Sequence, residues 1–437
     1  MEEILALLLF VGLVVGLATG HPISFVLGGV SMIIGLIGWG SEIIPIISRG
    51  ILSTMNNYTL VAIPLFVFMA NLLSSSQVVD GLFESLRYLF GRLRGGLAIA
   101  IIVVSTIFAA TTGVVGASVV TMAVLGMPIL MKYKYDPRLS VGTITAGGSL
   151  GILIPPSIML IVMGAQASVS VGDLFKATLL PGIILATAYC IYIIIITWIK
   201  PDYGPALTVE EAAAVPVKKR ITGSLVNLVP PLLLIVAVLG SIYAGVATPT
   251  EASGVGAFVA FLMTVAYGKF SFRMLSDAVY ETAKTTAMVL IIMVGATAFS
   301  ATFLGLNGSE LIEDFVSGIG LEDWGILIFM LILTFILGMF IDWVGIVMIL
   351  FPIFIPLIEV TDFNMLWVVT CIAIMLQTSF LTPPFGHALF YIKGVVGDQI
   401  STITIYRGVV PFIVVVLIVL AVTMIFPQII LWIPEAL

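Results

Sequence analysis

Apolar runs alternate with short polar or glycine-rich joints along all 437 residues of the chain. A helix that crosses the hydrocarbon core of a bilayer needs about 20 apolar residues. That ruler predicts spanning helices near 3–20, 22–40, 55–78, 139–168 and 178–198, and again near 224–243, 250–267, 285–305, 363–393 and 408–431. Two further apolar stretches, 96–131 and 325–358, are too long for one span and too short for two with a loop. Each predicts a re-entrant hairpin that enters and leaves by the same face. Segments 80–94 and 271–286 carry charges and apolar residues at helical spacing, which predicts helices lying at the membrane interface.

Two double prolines interrupt the fourth span of each series, in GILIPPS (Gly151 to Ser157) and FLTPPFG (Phe380 to Gly386), with 383 minus 155 equal to 228. The same spacing recurs elsewhere. His21-Pro22 falls against Thr248-Pro249 at 227, Pro128 against Pro356 at 228 and Pro181 against Pro411 at 230. The chain therefore reads as a duplication, with a first repeat over 1–199, a linker over 200–221 and a second repeat over 222–437. Each repeat holds about five spanning helices, one of them broken, and one hairpin. The linker is the one long polar segment and reads as a solvated tether.

Charge sets the orientation. Arg87, Arg92, Arg94, Lys132, Lys134 and Arg138 flank the first hairpin, which places its mouth in the cytoplasm by the positive-inside rule. Only Glu310, Glu313, Asp314, Glu322, Asp323, Glu359 and Asp362 flank the second, so it opens outward. Lys200, Lys218, Lys219, Arg220, Lys269, Arg273 and Lys284 fall on the inner side of the same map. The result is an inverted-topology repeat in an all-α polytopic membrane protein, with both termini extracytoplasmic.

Composition agrees, because 61% hydrophobic and 9% charged residues leave too little polar surface for a soluble domain of this size. The net charge of −6 contains no basic stripe, which excludes nucleic-acid binding. Cys190 and Cys371 sit in apolar runs of different halves and predict neither a disulfide nor a metal site. Glu2 and Glu3 stand where a secretory signal would carry Lys or Arg, so the first apolar run reads as a retained span. No HExxH motif, membrane aspartate pair or Ser/His pairing points to an enzyme.

Proline in mid-membrane removes a backbone donor and frees carbonyl oxygens where water is scarce. Such carbonyls suit a hard cation. The first break lies opposite the expected tip of the first hairpin, with Thr111, Thr112, Gly113, Gly116 and Ser118; the second lies opposite Gly338, Asp342 and Gly345. Each half would build one cation site from a tip and an unwound helix. The half-helices restarting after Pro156 and Pro384 would turn positive ends to the midplane and hold a carboxylate there. Asp342 is an intramembrane acid, either a cation ligand, a proton carrier or a helix cap. His387 reads as a substrate contact or as a cavity lining, and Gln377 and Asn71 as polar linings.

The segments AIPLFVFMANLL (Ala62 to Leu73), FAATTGVVGAS (Phe108 to Ser118), GSLGILIPPSIMLIVMG (Gly148 to Gly164), LLPGI (Leu179 to Ile183) and LQTSFLTPPFGHALFYIKGV (Leu376 to Val395) resemble the large membrane subunit of tripartite ATP-independent periplasmic (TRAP) transporters, the DctM-like family, over essentially the whole chain. The resemblance implies an elevator-type importer in the cytoplasmic (inner) membrane of a bacterium or archaeon, driven by Na⁺. A periplasmic binding protein would deliver a small carboxylate, and a separate small membrane subunit of about four helices would assemble with this chain. One Na⁺ would sit at Thr112, Gly113, Gly116 and the backbone of Gly151, Ile154 and Pro155. A second would sit at Gly338, Asp342, Thr382, Pro383 and Pro384. Substrate would meet Thr111, Ser118, Ser157, Gln377, Gly386 and His387. The first tip reads TTGVVGAS where many members read more like SGSS. The alternative reading is an autonomous dicarboxylate symporter or anion exchanger of the same superfamily, needing no binding protein.

In a background without native cysteines, single cysteines at positions 90 and 314 should react with an impermeant thiol reagent from opposite sides of the membrane. Labelling of both from one side would contradict the inverted topology.

Overall fold

The computed structural model describes residues 2–76, 78–207, 216–308, 310–312, 318 and 320–436, all helical or in connecting turns, with no strand among them. In the first half these are α1 (Glu2–Ala18), α2 (Ile23–Trp39), α3 (Ile43–Met55), α4 (Ala62–Ser75), α5 (Val78–Phe90), α6 (Gly96–Thr112), α7 (Val115–Lys132), α8 (Pro137–Ser149), α9 (Ile158–Gln166) and α10 (Val171–Ile199). In the second they are α11 (Val217–Tyr243), α12 (Pro249–Ala266), α13 (Phe272–Gly305), α14 (Asp323–Gly338), α15 (Trp343–Glu359), α16 (Met365–Ser379), α17 (His387–Val396), α18 (Thr402–Ile425) and α19 (Gln428–Ala436). By length and composition, eight helical stretches among the described residues can cross a membrane.

Helix starts recur between the halves. α6, α7, α8 and α9 begin at 96, 115, 137 and 158, and α14 to α17 at 323, 343, 365 and 387, offsets of 227, 228, 228 and 229. Local chemistry fixes them at both places. Asp136 accepts from the N–H groups of Arg138 and Leu139 to start α8, and Asn364 accepts from Trp367 N to start α16. Such caps satisfy donors that the first turn of a helix leaves open. Both broken spans are interrupted where the double prolines fall, over Leu150–Ser157 and Phe380–Gly386. The Pro155–Pro156 and Pro383–Pro384 bonds are cis. Proline pairing alone does not make a break, because α11 runs straight through Pro230 and Pro231.

Four expectations are corrected. Segments 271–286 and 285–305 are not an interfacial helix and a separate span but one helix of 34 residues, α13, which contains no proline. Its counterpart in the first half is split in two. The helix α3, missed at 43–55, is amphipathic, and Asn57 stops the chain there by accepting from Thr59 N to start a 3-10 turn before α4. The last span begins at Thr402 rather than 408 and ends at Ile425, ahead of Pro427 and the short α19. Finally, the linker is not solvated from its start. Leu207 is buried, Leu207 N donates to Gly91 O at 2.8 Å, Gly95 N to Gly204 O at 2.8 Å and Asp136 N to Tyr203 O at 3.0 Å. These bonds clamp residues 203–207 across the mouth of the α6–α7 hairpin. Residues 208–215 of the linker, together with Glu313 and Asp314, lie outside the described residues.

The halves interlock. The second hairpin arm of each half packs on the restarted half-helix of the other, α7 on α17 and α15 on α9. The peripheral helices exchange in the same way, α2 with α13 and α12 with α4. Hydrogen bonds tie further pairs across the halves: Asn71 Nδ2 of α4 donates to Thr282 Oγ1 of α13 at 3.0 Å, the Thr54 and Thr297 hydroxyls of α3 and α13 meet at 2.9 Å, and Asn227 Nδ2 of α11 donates to Ser85 Oγ of α5 at 2.8 Å. Without a hydrophobic drive between helices in lipid, close small-residue packing and such bonds supply the association. At the crossing of α8 and α18 the backbones touch, so a Cβ on Gly142 would stand 2.3 Å from Gly408 O.

Gly142→Val is therefore expected to force α8 from α18 and lower the melting temperature of the purified protein by several degrees. Gly254→Ala, where an added Cβ meets nothing within 4 Å, should leave it unchanged.

Candidate solute and cation site

Both hairpin tips and both breaks converge on one cavity of about 240 Å³. Its walls are Gly113 to Gly116 of the first tip, Ile152 and Ile158 of the first break, Asp342 to Val344 of the second tip, and Phe380, His387 and Tyr391 of the second break. Thr285, Met288, Val289 and Ile292 of α13 close the remaining side. Four helices begin on this cavity, since Val115, Ile158, Trp343 and His387 are the first residues of α7, α9, α15 and α17. Each start presents unpaired N–H groups and roughly half a positive charge. Only α15 is capped by a side chain: Asp342 accepts from Val344 N at 3.2 Å, whereas Val114, Ser157 and Gly386 make no capping bond. The α7 and α9 ends thus stand open, the α17 end is partly served by Ala388 N donating to Phe380 O at 3.2 Å, and no Lys or Arg lines the cavity among the described residues; the open donors favour an anion.

Asp342 carries the cavity's negative charge. Its carboxylate stands 3.9 Å from His387 Nδ1, with both side chains partly exposed to the cavity. Tyr391, one turn beyond His387, packs against Gly116, whose Cβ would lie 3.0 Å from the ring. The first tip and the second half-helix are in this way closed on each other.

Behind the cavity, each tip rests on its own break. Gly113 adopts a left-handed φ of 60°, and a Cβ there would lie 2.6 Å from Pro156 O. Thr112 Oγ1 donates to Phe108 O at 3.0 Å and meets Ser118 Oγ at 3.1 Å, and Thr111 Oγ1 donates to Phe108 O at 2.7 Å. Ser157 Oγ donates to Ile152 O at 2.5 Å, and Gly151 packs on Ala109. The oxygens gathered at this first tip are neutral hydroxyls and carbonyls. At the second, a Cβ on Gly338 would stand 2.7 Å from Ser379 Cβ, Thr382 Oγ1 donates to Thr378 O at 2.7 Å, and Phe340 of the tip lies 6.3 Å from Phe385, ring to ring. Both sets suit a hard monovalent cation, which prefers oxygen ligands. The breaks differ in enclosure: every residue from Gly151 to Ser157 is buried, whereas Pro384 and Phe385 are exposed.

Of the residues expected from sequence, Gly113, Gly116, Asp342 and His387 line the cavity. Thr112, Gly151, Ile154 and Pro155 lie buried at the first tip and break, and Gly338 and Thr382, with the half-buried Pro383, at the second. Thr111, Ser118 and Ser157 are buried behind the first tip and are not among the cavity's lining residues; Thr111 bonds back to Phe108 O of its own helix, Ser118 meets Thr112 of α6 and Ser157 bonds Ile152 O of the break. Gly386 caps α17 at the cavity edge. Pro384 departs from the second set, because its carbonyl accepts from Tyr406 Oη at 3.3 Å. Gln377 is not a lining residue: it is fully buried and bonded to Ser149. Asn71 is likewise engaged elsewhere, with Thr282. Sequence reasoning missed Trp343, Tyr391 and the α13 wall. Tyr391 was accessible from helical spacing, four residues after His387, but nothing in the sequence singles out Thr285 or Met288.

Residues 10–429 match the family model described as the tripartite ATP-independent periplasmic transporter, DctM component. The chain belongs to the DctM family. It is 30% identical over 384 residues, 87% of both chains, to the C4-dicarboxylate TRAP transporter large permease protein DctM of Pseudomonas aeruginosa. It is 29% identical over 420 residues, 96% of both, to the sialic acid TRAP transporter large permease protein SiaM of Vibrio cholerae. The fold is shared with the Alcanivorax borkumensis YdaH transporter, at a TM-score of 0.61 over 90% of each chain and 15% identity. This DctM-family chain is accordingly a multi-pass membrane component of a secondary transporter, and its relatives are permeases rather than enzymes.

Gly113→Ala places a side chain in the left-handed region, at a cost of roughly 1–2 kcal/mol, and against a backbone oxygen. We expect a drop of a few degrees in melting temperature and loss of transport. Gly394→Ala, with open space around it, serves as the control.

Proposed function

We propose that this chain is the large subunit of a Na⁺-coupled, binding-protein-dependent importer of small organic acids, working by an elevator movement. The observation that carries the reading is the convergence of four helix N-termini and two hairpin tips on one cavity without a Lys or Arg. A carboxylate would take the open N–H groups of α7, α9 and α17. Na⁺ at the first site would draw on Thr112 and the carbonyls around Gly151, Ile154 and Pro155; at the second, on Asp342 and the backbone near Gly338, Thr382 and Pro383. With Na⁺ beside Asp342 the cavity gains the positive charge needed for an acid, and this couples the two bindings. The α13 face, which would belong to the fixed part, bounds the cavity that the hairpins and broken helices would carry across. The recurring helix starts and opposite flanking charges support an inverted repeat with both termini outside. The name of the matching family, a tripartite transporter, supports a separate small membrane subunit and a soluble periplasmic binding protein as partners.

Purified protein should melt at a higher temperature in NaCl than in KCl at equal ionic strength, since a ligand that binds only the folded state stabilises it. Asp342→Ala and Thr112→Ala should each reduce this Na⁺-specific gain. Equal melting in both salts would overturn Na⁺ coupling, and wild-type titrations in both variants would overturn the two-site assignment.

A further inference from the structure

Ser149 and Gln377 occupy the same place in the two halves, since 377 minus 149 is 228, and they touch. Gln377 Nε2 donates to Ser149 Oγ at 2.7 Å, with both side chains fully buried. Equivalent residues of a duplicated fold meet only where the axis relating the halves passes between them, so this bond marks that axis between α8 and α16. Each partner also stands at the head of a break. Ser149 is the last residue of α8, and Gln377 lies in the last turn of α16. Beyond Ser149 the chain unwinds to Pro156, on which the first tip rests through Gly113; beyond Gln377 it runs to Ser379, on which the second rests through Gly338.

The bond sits in an apolar core, where an unpaired polar group costs free energy. Gln377 Oε1 and the Tyr189 hydroxyl are both buried without a hydrogen bond, and Tyr189 adjoins Gln377. A small rotation pairs them and holds the amide from α10 as well. The resulting chain is Tyr189 to Gln377 to Ser149, whose hydroxyl donates to Ala146 O at 3.0 Å.

We infer that Gln377 is a positioning residue whose bond to Ser149 couples the two breaks, so that a cation ordering one tip favours ordering of the other. The inference rests on the two-site Na⁺ reading above. A cation draws the carbonyls of its break inward, and a break cannot rearrange without shifting the residue at its head. That residue is tied to the head of the other break, which gives a contiguous physical route between sites.

The test is Na⁺ titration of the purified protein at constant ionic strength, read by melting temperature and intrinsic fluorescence. The wild type is expected to bind with a Hill coefficient above one. Gln377→Met keeps the shape and removes the bond; it should bind without cooperativity and with half-saturation raised about 5-fold or more. The exchange pair Ser149→Gln with Gln377→Ser rebuilds the bond in reverse and should recover part of the cooperativity lost in Gln377→Ser alone. Recovery is partial because Leu417, not tyrosine, stands 228 residues after Tyr189. Unchanged cooperativity in Gln377→Met, or an exchange pair no better than the single variant, overturns the inference alone. A wild type with no saturable Na⁺ response overturns the Na⁺ reading itself.

Discussion

In hydrocarbon every backbone N–H and C=O must find a partner within the protein. This requirement explains why the chain unwinds only where it does. The first break is buried along its whole length, and its own side chains repair part of the lost ladder, as Ser157 does for Ile152 O. The second is repaired by Thr382 on Thr378 O and by Tyr406 on Pro384 O. Carbonyls can be served by nearby hydroxyls, but the N–H groups of a restarting helix point along its axis and stay open. Four such starts face one volume; Asp342 serves the α15 start and Phe380 O part of the α17 start, and the donors left open share the cavity. The anion site proposed above would then draw on a consequence of the folding constraint rather than on any one side chain.

The halves are alike in backbone and unlike in chemistry. Asp342, His387 and Tyr391 line the cavity from the second half, while the equivalent positions 228 residues earlier hold Val114, Met159 and Met163. Duplication supplies two tips and two breaks, but one solute needs one polar face. The first half has kept a neutral, enclosed oxygen cluster at its tip. The second has acquired a carboxylate that caps α15, faces the cavity and stands beside a histidine. These roles do not compete, since one Asp342 oxygen holds the α15 start while the other is turned to His387. Of the earlier alternatives for Asp342, the structure shows the cap, and that role leaves the other oxygen free for the proposed cation.

How much was legible depended on whether the signal was local. The double prolines, glycine tips and long apolar runs are local, and they led to the breaks, the tips and the all-helical fold. Starts such as those of α8 and α16 are written in Asp136 and Asn364 and could be read directly. The fusion of 271–286 with 285–305 was missed because charge pattern suggested a boundary, whereas continuity depends on the absence of a stop signal such as Asn57 in the other half. Thr111, Ser118 and Ser157 were expected at the substrate by resemblance, as hydroxyl residues beside the tip and break. Their direction depends on which carbonyl each hydroxyl finds in three dimensions, and that is not a property of spacing. Gln377 belongs to the same group: its partner is 228 residues away, and only the fold brings them into contact.

Interlocking also bears on movement. Neither half can make the cavity alone, because α7 leans on α17 and α15 on α9 across the duplication. The polar ties between halves fall within the peripheral set, at Asn71–Thr282, Thr54–Thr297 and Asn227–Ser85, and within the central set, at Gln377–Ser149. Among the described residues no hydrogen bond joins α13 to either hairpin tip, and the α13 wall of the cavity is Met288, Val289 and Ile292 with one threonine. A directional bond fixes register, whereas apolar side chains in lipid accept many registers at similar energy. At the cavity α13 therefore meets the hairpin tips over an apolar seam, while away from it Arg87 Nη2 of α5 donates to Tyr133 Oη at the end of α7 at 3.2 Å and Tyr243 Oη of α11 donates to Phe175 O of α10 at 3.2 Å. Under the proposed elevator the tips and breaks would travel together as the part held by Gln377, and the seam would be the surface they slide along. In that proposal α13 would contribute shape to the site, while Asp342 and the open N–H groups would move with the solute.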